Sequence, residues 1–108
     1  MAYEPVIKSE QLDNLFAAVL TLETAEDCYR FFEDLCTVHE LQDMGQRLEV
    51  ARNLQAEVTY HDIVERTGAS TATISRVNRC LNYGSGGYRL ALQRLKDKQT
   101  EKNSAPNE

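Results

Sequence analysis

Apolar residues recur at helical spacing along almost the whole chain, and a hydroxyl residue stands at the head of most blocks. After Ser9, the residues Leu12, Leu15, Phe16 and Val19 return every three or four positions, the period of one helix face. After Thr24, with Asp27 three residues on, Cys28, Phe32 and Leu35 repeat the pattern. Thr37 and Glu40 have the spacing of a full capping box, in which the hydroxyl and the carboxylate each accept the other residue's backbone N–H. Leu41, Met44, Leu48, Ala51 and Gln55 then follow at the alternating three-four spacing of a helix seam. Gly45 inside that seam costs about 1 kcal/mol relative to alanine, which predicts a close helix crossing at that point. Every block reads as helix, so the predicted class is all-α with about six helices.

The stretch 59–81, TYHDIVERTGASTATISRVNRCL, carries the most specific signal. Thr59 is placed to cap a helix, with Asp62 where a capping box has its acid, and Ile63 and Val64 supply one turn of apolar face. Gly68 can then take the left-handed conformation that ends a helix, because it has no Cβ to clash. Ser70 caps a second helix whose apolar positions Ile74, Val77 and Leu81 lie on one side. At 100° per residue the other side carries Ala72, Ser75, Arg76 and Arg79, with Thr71 at its edge. Such a face suits a major groove: arginine forks to guanine, hydroxyls bond either base, and alanine or a threonine methyl touches thymine. The pattern is that of a helix-turn-helix, against the blander reading of a helical hairpin whose polar side faces water.

Beyond it, Asn82, Gly84, Ser85, Gly86 and Gly87 predict a flexible break, and Tyr88, Ala91, Leu92 and Leu95 place a last stripe. From Lys98 the chain has no apolar periodicity and contains Pro106, so residues 98–108 are expected to be a disordered tail behind a single domain over 1–97.

Charge sharpens the picture. The net charge of −5 argues at first against nucleic acid, because phosphate contacts need cations. Its distribution reverses that inference. Residues 1–67 hold fourteen acids and five bases, whereas residues 68–96 hold Arg76, Arg79, Arg89, Arg94 and Lys96 and no acid. A molecule polarised in this way presents one positive face to DNA; the alternative is that the arginines are only a solvated face.

The 108 residues suffice for one small domain, burying about 60 to 70% of the unfolded surface, but the chain has no Trp and its core is marginal unless a second copy completes it. No apolar run approaches the roughly 18 residues of a membrane span, and MAYEPVIKSEQ lacks the regions of a secretory leader, so no membrane partner and a cytoplasmic location are expected. Cys28, Cys36 and Cys80 are an odd set in helical segments and are expected to be reduced, partly buried thiols. Cys36 and His39 form a C-x-x-H without a second pair at ligand spacing, so no metal site is expected. No nucleophile and base at workable spacing, phosphate loop or paired carboxylates point to an enzyme.

Three landmarks in order, LCTVHELQDMGQRLEVARNL, then the 59–81 stretch, then YRLALQRL, resemble the Trp repressor superfamily over about residues 35–95. More narrowly the chain resembles the Trp-repressor-related proteins of unassigned function. The resemblance implies an intertwined homodimer of helices and a transcription regulator that binds double-stranded DNA. It places His61, Thr71, Ala72, Thr73, Ser75, Arg79 and Asn82 against DNA, with Ser70 joining them at the head of the reading helix. Val64 and Asn82 stand where the family has lysines, which implies fewer phosphate contacts.

The resemblance also implies an effector pocket whose matching residues are Thr37, Arg47 and Arg76. The family's small residue beside the second arginine is Val77 here, and its leucine positions before the threonine are Asp34 and Cys36. A valine fills part of that space and a carboxylate sits poorly against indole, so a tryptophan corepressor is not expected and no cofactor is assigned. Arg76 is instead expected to pair with an acid. Two other functional classes stay open: an adaptor whose acidic N-terminal helices bind a protein, and a replication or nucleoid-associated DNA-binding module.

Overall fold

The computed structural model, which describes residues 3–104, has six helices in order, the first five behind hydroxyl caps: α1 (Glu10–Val19), α2 (Ala25–Leu35), α3 (Val38–Gln55), α4 (Tyr60–Thr67), α5 (Thr71–Tyr83) and α6 (Gly87–Ser104). No strand occurs among the described residues, as the periodicity predicts. Ser9 accepts the N–H of Leu12, Thr24 that of Asp27, Thr59 that of Asp62 and Ser70 that of Thr73, each satisfying one of the free donors of a helix start.

The Thr37–Glu40 box closes in both directions: the Thr37 N–H donates to Glu40 Oε1 at 2.8 Å and the Glu40 N–H to Thr37 Oγ1 at 3.1 Å. The Thr37 N–H holds the Glu40 carboxyl below the usual glutamate range, and the Glu23 N–H does the same for Asp27. Because both folded values lie below the unfolded ones, these charges stabilise the helix starts above the carboxylate range, and that contribution disappears as pH falls through the lowered values. Asp62 makes only half of such a box, its N–H bonding Thr59 Oγ1 at 3.2 Å.

Where one domain over residues 1–97 is expected, the chain resolves into two compact units, Met1–Leu41 and Gln42–Glu108. In the first, neither α1 nor α2 contains a fully buried residue. Phe31 and Phe32 meet edge to face at 5.4 Å, while Phe16, Tyr29 and Leu35 of the apolar faces are exposed. In the second unit Val50 and Ala51 of α3, Ile63 of α4, Ala69 of the turn that follows it, Ile74 and Val77 of α5 and Leu92 of α6 form the core, with Leu48, Leu54, Val58, Val64 and Tyr88 packed against it. Each large aliphatic side chain so covered stabilises the fold by about 1.5 to 3 kcal/mol.

Several expectations change. A Cβ on Gly45 would meet nothing within 4 Å, so the close crossing expected there does not occur among the described residues. Val50 is fully buried although it lies off the expected seam, and Met44 on the seam is exposed. All three cysteines are free, but Cys28 and Cys80 are exposed and only Cys36 is half-buried. Helix α6 continues to Ser104, through the stretch expected to be disordered. Lys98, Gln99, Glu101 and Lys102 are good helix formers and neither Gly nor Pro interrupts them, so a helix persists there without an apolar stripe. The remainder of the expected tail, residues 105–108, lies outside the described residues.

Candidate nucleic-acid interface

The turn between α4 and α5 is built by side chains that satisfy its open backbone groups. Gly68 has φ 75° and ψ 4°, left-handed, and its N–H donates to the Val64 carbonyl at 2.9 Å. Thr67 Oγ1 donates to the Ile63 carbonyl at 2.7 Å and accepts the Ala69 N–H at 3.1 Å. From α3, Gln46 Nε2 donates to the Thr67 carbonyl at 3.2 Å, and Arg66 of α4 donates to Asn53 Oδ1 at 3.2 Å. Helix α3 is therefore a bed on which the turn is pinned at two points as well as through Val50 and Ala51.

A Cβ on Gly68 would find space, its nearest neighbour being Gln46 Nε2 at 4.0 Å, so only the backbone conformation opposes a side chain. Gly68→Ala is expected to lower stability by about 1 kcal/mol, the left-handed cost alone, read as a small drop in melting temperature. A drop several times larger would mean that the turn tolerates no side chain at all.

Ile74, Val77 and Leu81 face the core, and this turns Ala72, Ser75, Arg76 and Arg79 outward along one exposed side, with Thr71 beside them. His61 is exposed on the first turn of α4. Ser70 and Thr73 have structural work: the Ser70 hydroxyl accepts the Thr73 N–H at 3.2 Å and donates to Thr73 Oγ1 at 3.1 Å. Thr73 is half-buried, and so is Val64, which packs on the core instead of projecting. Asn82 is exposed, but its amide donates to the Asn78 carbonyl at 3.0 Å and to Asn78 Oδ1 at 3.2 Å. Arg79 forms no hydrogen bond or ion pair with another described residue, so its guanidinium is available.

Among the described residues Arg76 likewise lacks the acidic partner expected for it, unlike Lys8, which pairs with Asp13, and Arg30, which pairs with Glu26. No acid lies near it in sequence on α5, which is acid-free. Of the residues matching the effector pocket, Thr37 is exposed in the first unit and committed to its capping box, Arg47 is half-buried on α3, and Arg76 is exposed on α5. Val77 is 1% exposed, its bulk lying in the core with Ile74. Among the described residues no group of three His, Cys, Asp or Glu is placed to hold a metal ion, and no helix is long and apolar enough to cross a membrane.

Two capping residues carry no sequence signal of their own: Gln46, and Arg89 of α6, which donates to the Leu81 carbonyl at 2.9 Å and to Asn82 Oδ1 at 3.2 Å. A hint of the second existed, because α5 has no basic residue in its last turn to meet its free carbonyls.

The family model described as Trp repressor protein matches residues 10–96. The chain is 56% identical over 98 residues to an uncharacterized protein of Bacillus subtilis, YerC, covering 91% of this chain and 94% of that one. A crystal structure of a TrpR-like protein from Eubacterium eligens superposes with a TM-score of 0.80 at 52% identity, over 82% of this chain and 92% of that one. A protein of Staphylococcus aureus, solved as a candidate Trp repressor, superposes with a TM-score of 0.80 at 50% identity, over 82% and 89%.

Proposed function

The chain belongs to the Trp repressor protein family, and from that premise we propose that it is a sequence-specific transcription regulator that binds double-stranded DNA as a homodimer. The observation that carries this reading is the outward side of α5: Ala72, Ser75 and Arg79 exposed, Arg79 without a partner among the described residues, in a stretch of 29 residues, 68–96, that has no acid. Thr71 and Thr73 at the head of α5, His61 on α4 and the Ser70 cap add hydroxyl, imidazole and helix N-terminal groups suited to phosphates and base edges. Asn82 stands at the far end of the same helix. Half-buried Val64 offers no charge where the family places lysine, so binding leans on contacts other than simple phosphate neutralisation.

The homodimer is supported by the uncovered apolar side chains of the first unit, among them Phe16, Leu20, Tyr29 and Leu35. A second copy that covers them removes apolar area from water, at about 25 cal/mol per Å². Two reading helices in successive major grooves then recognise half-sites about 34 Å apart. This activity involves no enzymatic step, and it places the protein in the cytoplasm with the DNA.

Selecting genomic fragments with the purified protein and sequencing them is the direct test. Enrichment of a near-palindrome with half-sites one turn apart is the expected result; fragments enriched no more than random DNA sink the proposal. L-tryptophan at millimolar concentration is expected to give no saturable heat in calorimetry, since Val77 fills the space where the family has a small residue. A micromolar isotherm would reverse that view.

A further inference from the structure

We propose that Arg89 is a positioning residue for the reading helix, and that through Asn82 it sets the orientation of the end of α5 without itself contacting DNA. The inference rests on the DNA-binding reading above. Its evidence is a continuous chain of hydrogen bonds. Arg89 Nε donates to the Leu81 carbonyl at 2.9 Å and Nη2 to Asn82 Oδ1 at 3.2 Å, while Asn82 Nδ2 donates to the Asn78 carbonyl at 3.0 Å and to Asn78 Oδ1 at 3.2 Å. Both ends of the Asn82 amide are therefore engaged within the protein, its oxygen by Arg89 and its nitrogen by Asn78.

Three features make the linkage more than an ordinary surface contact. The last carbonyls of a helix have no partner inside it, and a cation there also opposes the negative end of the helix dipole. Helix α5 supplies no basic residue in its own last turn, so Arg89 of the next helix does so. The route back is short only because the turn is tight. A Cβ added at Gly84 would collide with the Cys80 carbonyl oxygen, so that position has no room for a side chain, and Gly86 adopts φ 84°. Arg89 also lies on α6, whose Leu92 is in the core, so the reading helix is tied at its far end to the packed body of the second unit. Only a planar fork spans the backbone carbonyl and the amide together; a lysine ammonium is a single point of charge. Arg89 is thus to be separated from Arg79, which has no partner among the described residues and is free to read bases.

The test compares Arg89→Lys and Arg89→Ala with the full chain, on the operator selected as above and on random duplex DNA, across a salt series. Arg89→Lys keeps the charge and loses the fork. Both variants are expected to bind the operator about tenfold less tightly, the factor supplied by one charge-assisted hydrogen bond, while affinity for random DNA and its salt slope stay as in the parent. A phosphate-contacting arginine behaves differently: lysine restores binding, and alanine weakens operator and random DNA alike with a salt slope reduced by about 1. That pattern, or parental affinity in both variants, overturns the proposal.

A second measurement needs no DNA. Amide exchange of Gly84, whose N–H donates to the Cys80 carbonyl at 2.8 Å, should quicken roughly tenfold in Arg89→Lys while the Ile74 amide is unchanged. Unchanged exchange at Gly84 refutes the linkage even if the parent binds no operator, and faster exchange with no DNA binding by the parent refutes the regulatory reading instead.

Discussion

Replacing Ile74 with alanine should lower stability by about 2 to 5 kcal/mol, the range for deleting a fully buried branched side chain and leaving part of a cavity. Ile74 is 0% exposed and stands among Val50, Ala51, Ile63 and Val77, where four helices and the turn converge. Small domains hold only about 5 to 15 kcal/mol in total, so this one change removes a large share. Urea denaturation reads it as a lower midpoint with an unchanged slope, at fixed protein concentration because a dimer's stability depends on it. Leu90→Ala on α6, at a position 52% exposed, serves as the comparison and should stay within about 0.5 kcal/mol. If both substitutions cost the same small amount, Ile74 does not occupy the packed position assigned to it.

Arg79→Ala is expected to weaken operator binding by about 1 to 3 kcal/mol, the discrimination carried by one arginine forked to guanine. Because Arg79 is exposed and bonded to no other described residue, the same change should leave thermal stability within about 0.5 kcal/mol. The two measurements together separate reading from folding: Ile74 acts on stability, Arg79 on affinity, although they lie five residues apart on one helix. Operator affinity equal to that of the parent, in a variant that melts normally, would remove Arg79 from the interface and with it the main support for base reading by α5.

Much of the helix-turn-helix that forms the candidate interface was legible from residue order because helix ends are local affairs. The Ser70 cap, the left-handed Gly68 and the Ile74–Val77–Leu81 face each depend on groups within a turn or two, and the structure has each where its neighbours require it. The seam of α3 was less legible. Periodicity marks a broad apolar sector, and Val50 rather than Met44 proves to be the covered residue because α4, α5 and α6 lie against that sector in space. The stretch after Lys98 misleads for the opposite reason: a helix needs propensity and backbone bonding, and an apolar stripe is only the sign that something covers it. Gln46 could not be read at all, and for Arg89 the only hint was the lack of a basic residue in the last turn of α5. Their acceptors lie 21 and 8 residues away, and an amide or a guanidinium in a sequence does not declare which open carbonyl it will reach.

Residue order alone determined where helices start and stop, which side of α5 is apolar, and that its polar side is free of acids, since these follow from bonds between near neighbours and from a fixed 100° step. Tertiary structure alone decided which apolar side chains are covered, which arginine is free and which is bound among the described residues, and how the ends of α5 are held. Those outcomes depend on what stands opposite each group after the chain has folded back, and no local rule contains that information.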